Sequence, residues 1–191
     1  MKIKEQLVVI PSKEIIIGNP AAKVRLELFG DYESEASAKA NAVVNELLSL
    51  FEGDLNYTFR HFPMTRIHQK AHKAAEAAIG AAQEGKFREM HELLFQHRLT
   101  LGVISLKSYA REVGVKDKKF LDHLINSDWG WYVQDDLREG LQRGVTNIPT
   151  IFINGQKVEK EPTVRNLRQV IEAALQETAA RAVPLKQSKR A

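Results

Sequence analysis

Between Gly18 and Leu175 the hydrophobic residues recur with two different periods, and the points where the period changes divide the chain into elements. Val24-Arg25-Leu26-Glu27-Leu28-Phe29 alternates every second residue, which predicts a strand entered from the turn Gly18-Asn19-Pro20. Ala40, Val43, Val44, Leu47, Leu48 and Phe51 then repeat at helical spacing, with Gly53 as the stop. A second alternating run, Leu55-Asn56-Tyr57-Thr58-Phe59-Arg60, closes at Phe62-Pro63. Strand, helix and strand in that order predict a right-handed parallel crossover.

From Ile67 to Arg143 the pattern is helical. An alanine-rich stretch (Ala71, Ala74, Ala75, Ala77, Ala78, Ala81, Ala82) ends at Gly85, and further helices are predicted over 86–100, 105–113, 117–126 and 128–143. Strand signals return with Thr150-Ile151-Phe152-Ile153, then Asn154-Gly155, then Lys157-Val158, and Asn-Gly between apolar runs predicts a hairpin. Pro162-Thr163 opens a last amphipathic helix through Val164, Leu167, Val170, Ile171 and Leu175. The class is α/β, with a helical block inserted between two halves of a mixed sheet.

With 191 residues and 43% hydrophobic content, the chain can bury one real core. Leu7-Val8-Val9-Ile10 before Pro11 is shorter than a signal sequence and no segment is long enough to span a bilayer, so the expected location is cytoplasmic, without membrane insertion. Lys and Arg number 28 against 24 Asp and Glu, but Arg181, Lys186, Lys189 and Arg190 fall in the last eleven residues, which hold no acid. Without those four the charges balance, so a nucleic-acid footprint on a folded face is not expected and the tail reads as a solvated basic end.

Candidate chemistry centres on Asp31-Tyr32-Glu33-Ser34-Glu35-Ala36-Ser37, where two serines stand at the spacing of a redox Cys-x-x-Cys pair. The chain holds no cysteine. Thiol–disulfide exchange needs an attacking thiolate and a resolving sulfur, and a hydroxyl supplies neither. Ser34 and Ser37 instead suit a helix N-terminus, with Glu35 favoured by the dipole, while Asp31, Glu33 and Glu35 crowd the place with negative charge. His68 and His72 share a helical face with Glu76, but Gln69 stands where a zincin carries its glutamate and no third ligand is evident, so no metal is assigned. Trp129, Trp131 and Tyr132, clustered at a helix start, suit either the lining of a substrate groove or partner site or, as the favoured expectation, packing of the inserted helices onto the sheet. His61, His91, His97 and His123 fit no catalytic triad.

Several stretches carry a resemblance to a known family. Arg60-His61-Phe62-Pro63-Met64-Thr65-Arg66-Ile67-His68, Ala74-Ala75-Glu76-Ala77-Ala78 and Lys86-Phe87-Arg88-Glu89-Met90-His91-Glu92-Leu93-Leu94-Phe95 resemble the helical-insert signatures of the DsbA-like branch of the thioredoxin superfamily. Gly144-Val145-Thr146-Asn147-Ile148-Pro149-Thr150 resembles its cis-proline segment. The likeness runs from about Gly18 to Leu175 and is closest to bacterial domains that also occur fused to sodium/proton antiporters. Two departures stand out: Ser34-Glu35-Ala36-Ser37 replaces the family's Cys-Pro-x-Cys, and Asn147-Ile148 precedes the proline where Gly-Thr is common. Glu35 in place of proline marks natural divergence rather than a cysteine knockout.

The resemblance implies a thioredoxin-like fold with a central mixed sheet and an inserted all-helical subdomain. Its parts are an N-terminal extension (1–17), a thioredoxin-like domain (18–66 and 144–180), the insertion (67–143) and a basic flexible tail (181–191). It also implies a disulfide-oxidoreductase scaffold that has lost dithiol exchange and binds a peptide or protein through Tyr32, Ser34, Ile148, Pro149 and Thr150. The alternative is a glutathione-dependent transferase or isomerase similar to the kappa class, with Ser34 holding the thiol; otherwise no cofactor is implied. A third reading is assembly into a homodimer.

Overall fold

The computed structural model describes residues 9–182, with side chains up to residue 180. The basic tail, apart from the last helical backbone positions, and the start of the N-terminal extension lie outside the described residues. After a short 3-10 turn at Ser12–Glu14 come β1 (Ile17–Gly18), β2 (Val24–Gly30), α1 (Glu35–Leu50) and β3 (Leu55–His61). Five helices follow: α2 (Ala71–Ala82), α3 (Phe87–Gln96), α4 (Val103–Glu112), α5 (Phe120–Asn126) and α6 (Gly130–Gln142). The chain then returns to the sheet as β4 (Thr150–Ile153) and β5 (Gln156–Lys157) and ends in α7 (Val164–Ala182).

The strands stand in the order β1-β3-β2-β4-β5. β2 and β3 are parallel, as a strand–helix–strand crossover requires, and the other pairs are antiparallel. Asn154 and Gly155 both have positive φ (49° and 80°), the conformation of a type I′ hairpin turn between β4 and β5. Ile17 belongs to a strand paired with Tyr57 of β3, so a boundary between residues 17 and 18 cuts through β1 instead of separating an extension from the domain.

Register explains the alternation in the strands. Val24, Leu26 and Leu28 lie level with Leu55, Tyr57 and Phe59, and Ile153 and Ile151 lie opposite Leu26 and Leu28. This face joins α1, α2, α3 and α7 in one continuous buried cluster that includes Val44, Leu47, Ala78, Met90, Leu94, Leu167 and Ile171. The inserted helices therefore share the sheet's core and do not form a separate one. The other face carries Glu27, Phe29, Asn56, Thr58 and Arg60, yet these too are buried, under α6 and the 3-10 turn.

Three helices are shorter than their apolar periodicity predicts. α3 ends at Gln96 because the Thr100 N–H and hydroxyl both donate to the His97 carbonyl (2.8 and 3.2 Å), closing a turn. α5 begins only at Phe120, after the Asp117 carboxylate accepts the Lys119 N–H at 2.8 Å. Before α6, Asp128 and Trp129 turn back onto α5: the Asp128 carboxylate pairs with the His123 ring, and Trp129 packs on Phe120.

Trp129 is buried within the insertion, its indole filling the space over Gly80 of α2, so it does not join the insert to the sheet. Trp131 is exposed and lies under the Arg138 guanidinium. A Cβ at Gly80 would sit 2.6 Å from Trp129 and 2.9 Å from Phe120. Gly80→Ala is therefore expected to destabilise the fold by about 1–3 kcal/mol through overpacking, read as a lower urea midpoint at unchanged slope.

Candidate functional site

The ends of β2 and β3 and the start of β4 meet at one edge of the sheet. There the ladder between β2 and β4 stops one rung early. Asn154 pairs with Arg25, then Phe152 lies opposite Glu27 and Thr150 opposite Phe29. Alternation in an antiparallel pair makes Ile148 and Asp31 the next hydrogen-bonded rung. Asp31 turns away: its N–H donates to Ser37 Oγ (3.2 Å) and its carbonyl accepts the Ser34 N–H (3.1 Å). The Ile148 main-chain N–H and C=O are left without a hydrogen-bond partner among the described residues. The Ile148–Pro149 peptide is cis, and the Thr150 hydroxyl donates to the Asn147 carbonyl at 2.7 Å, holding the bend. Ile148 and Pro149 are half-buried and Asn147 is exposed.

Ser34 is the N-cap of α1. Its extended backbone (φ −76°, ψ 121°) lets Oγ accept the Ser37 N–H at 3.1 Å. Ser34 and Ser37 are both buried, whereas Glu35 and Ala36 face outward in the first turn. Ser37 is fully enclosed, its hydroxyl oxygen accepting the Asp31 N–H.

All three nearby carboxylates are occupied. Asp31, itself buried, accepts the Glu33 N–H (2.8 Å), the Met64 N–H (2.8 Å) and the His68 ring Nδ1 (2.9 Å). Glu33 accepts the Lys70 N–H at 2.6 Å, just ahead of α2. Glu35 hydrogen-bonds Lys39 and lies near Arg98, and the Lys39 bond first, then the two positive charges, lowers its pKa.

Tyr32, expected to face a ligand, is instead fully buried, which is a correction to the sequence reading. Its ring packs on Phe59 and Phe95, and its hydroxyl meets His91 Nδ1 at 2.8 Å. The network assigns the protons. Glu92 only accepts, so Asn41 turns its NH2 to Glu92 and its carbonyl oxygen to the Tyr57 hydroxyl (3.1 Å) and His91 Nε2 (2.8 Å). His91 then carries its proton on Nε2 and accepts from Tyr32. Burial, reinforced by the Arg88 charge, holds the His91 pKa down to about 3. Burial likewise pushes the Tyr32 phenol well above its ordinary value. These residues were not legible as a unit, because they come from the turn, α1, β3 and α3.

On the opposite face, Arg60 is buried among acids. Its guanidinium donates to Asp136 (2.7 Å) and Glu139 (2.7 and 3.0 Å) and lies 3.4 Å from Glu27. Burial disfavours its charge, but the Glu139 and Asp136 hydrogen bonds prevail and raise its pKa. Arg143 holds Glu27 at 2.9 Å and stacks 4.0 Å over the Phe152 ring. The cluster anchors α6 to the strands.

His68 and His72 do not converge. His68 belongs to Asp31, while His72 reaches Glu76 through Nδ1 (3.1 Å) and Gln134 through Nε2 (3.1 Å). No group of three metal-ligating side chains occurs among the described residues. His61, at the end of β3, is buried with neither ring nitrogen hydrogen-bonded, and that burial first, then His91, lowers its pKa well below the ordinary value.

A helix N-cap serine beside a cis proline on a mixed five-stranded sheet, with five helices inserted after β3, defines a thioredoxin-like protein of the DsbA type. The chain belongs to the thioredoxin family: the family model described as "Thioredoxin" matches residues 11–173. It is 32% identical over 165 residues, 85% of its length, to the Na(+)/H(+) antiporter NhaA 1 of Mycobacterium sp. (strain KMS). It is 31% identical over 171 residues to the Na(+)/H(+) antiporter NhaA 1 of Salinispora arenicola. The matched part is 27% and 26% of those proteins, so the chain spans about a quarter of the length of these relatives.

Among solved structures, oxidised BdbD from Bacillus subtilis superposes with a TM-score of 0.78 at 20% identity, covering 84% of this chain and 92% of that one. MdbA, a thiol-disulfide oxidoreductase from Corynebacterium diphtheriae, gives 0.67 at 17% identity over 84% and 88%. These likenesses establish the fold. Among the described residues, no helix is long and apolar enough to cross a membrane.

Two expectations follow. Ser34→Ala removes the cap and is expected to lower stability by about 1 kcal/mol in chemical denaturation. His61 and His91 are held neutral when folded, so the unfolded chain binds more protons below about pH 6.5; stability is full above that value and falls on acidification toward pH 3. Each contributes a slope of up to about 1.4 kcal/mol per pH unit. His61→Leu, which breaks no hydrogen bond, is expected to flatten the pH dependence of the urea midpoint measurably; an unchanged slope would contradict the assignment.

Proposed function

We propose that this chain is a non-redox member of its family that binds an extended peptide segment of another protein at the edge formed by Ile148, Pro149, Thr150 and the Ser34 helix start. The observation that carries the reading is that the main-chain N–H and C=O of half-buried Ile148 have no hydrogen-bond partner among the described residues, where the sheet's ladder stops. An added strand can complete the missing rung, and main-chain hydrogen bonds of this kind need no sulfur. Neither serine presents an open hydroxyl: Ser34 is buried with Oγ accepting the Ser37 N–H, and Ser37 is enclosed.

Under this reading the natural chain shows no insulin reduction above buffer. Ser34→Cys combined with Ser37→Cys, which restores sulfur to an otherwise retained scaffold, gains it. Glutathione at millimolar concentration produces no thermal shift, whereas the kappa-like alternative requires one. The binding itself is read at Ile148. Its amide is expected to exchange at least about tenfold more slowly with a selected peptide bound than in the isolated chain, since pairing protects an N–H that otherwise has no partner. Peptide binding without protection there would place the contact elsewhere.

A further inference from the structure

Beside the Ile148 edge runs a groove of about 590 Å³. Phe62, Pro63, Met64 and Ile67 form one side, Leu137 and Leu141 of α6 the other, and Thr146 stands at the end nearest the cis-proline bend. Its floor is continuous with a small buried cluster in which Met64, Leu137 and Ile148 pack on Phe29, Phe62, Val145 and Phe152. Ile67 and Leu141 are exposed by 70% and 59%, unusual for side chains of their size in one place. The Met64 side is tied to the serine turn, because Met64 N–H and His68 both bind the Asp31 carboxylate. Groove and edge are therefore held as one surface.

Among the described residues that line the groove, Arg66 is the one charged side chain. No acidic residue occurs between Asp54 and Glu76, a stretch that contains Arg60, Arg66, Lys70 and Lys73. Arg60 is committed to Asp136 and Glu139, and Lys73 to Glu76. Arg66, which lines the groove, and Lys70 are exposed and make no ion pair among the described residues. Across the groove, Glu139 points to Arg60 and Arg138 pairs with Asp135, so neither wall supplies a counter-charge. Asp31 and Glu33 lie on the serine-turn side and are not among the residues that line the groove.

We infer that the groove takes a large apolar side chain of the bound peptide while Arg66, with Lys70 beside it, selects an acidic residue next to that side chain. The occupant is an acidic–apolar segment of a partner protein, and Arg66 is the specificity-determining residue. The inference rests on the peptide-binding reading above. The groove's volume falls in the range of sites that enclose ligand groups, and opposite charge at a rim chiefly governs which partner is accepted.

The test is selection of a random, cysteine-free peptide library displayed on phage against the whole immobilised chain, followed by affinity measurement on the resynthesised peptides. The expected sequences are enriched in Phe, Leu, Ile or Met together with Asp or Glu. Their affinity is expected to fall about tenfold on Arg66→Glu and on Leu141→Asp, both exposed positions, and to weaken with added salt. Peptides enriched in Lys or Arg, or affinities indifferent to both substitutions, would overturn the inference. If such indifferent peptides still protect the Ile148 amide, the groove assignment fails and the peptide-binding reading stands. If the library yields no binder at all, that reading fails and the groove assignment falls with it.

Discussion

One buried carboxylate, Asp31, holds the site together. It lies just beyond the last residue of β2, where the chain must leave the sheet, and its two oxygens gather donors from three places. They are the Glu33 N–H within its own turn, the Met64 N–H of the segment after β3, and the His68 ring before α2. These contacts set the direction of the turn that delivers Ser34 to the start of α1. They also fix the wall of the apolar groove. Because the Asp31 main chain is spent inside the turn, it cannot complete the rung to Ile148. The open rung at Ile148 and the ordered serine turn are two results of one local geometry.

The same geometry changes the electrostatic picture that the acids suggest on paper. Asp31, Glu33 and Glu35 crowd the serine turn in sequence, yet in the fold each faces donors or cations. Among the described residues, the charges left without an ion-pair partner near the groove are Arg66 and Lys70. A turn hostile to a thiolate thus adjoins a surface suited to an anionic partner. Loss of sulfur removes dithiol chemistry without disturbing either feature, since neither the backbone edge nor the groove depends on it.

Much of the fold was legible because the relevant signals are local. The period-two runs at Val24–Phe29 and Leu55–Arg60, the Asn154-Gly155 turn and the serine cap at Ser34 each depend on a few adjacent residues, and each appears where the pattern places it. Tyr32 misled because an aromatic next to a candidate site looks the same in sequence whether it faces a ligand or the core. Its burial depends on His91, Phe59 and Phe95, which arrive from elsewhere in the chain. The role of Arg66 left one trace in the sequence, the absence of any acid from residue 55 to residue 75. That trace acquires meaning only when Arg60 and Lys73 are seen to be occupied.

The amino-acid sequence by itself determined the order of strands and helices, the lack of any thiol chemistry and the capping role of Ser34, because periodicity, composition and helix capping act over a few residues. Tertiary structure decided that both faces of β2 and β3 are covered, since burying Arg60 requires Asp136 and Glu139 from a helix some seventy-five residues away. It also decided which charges remain free and where the main chain stays unpaired. Those properties are differences between what a group could bond to and what its neighbours already use, and the neighbours are chosen by packing.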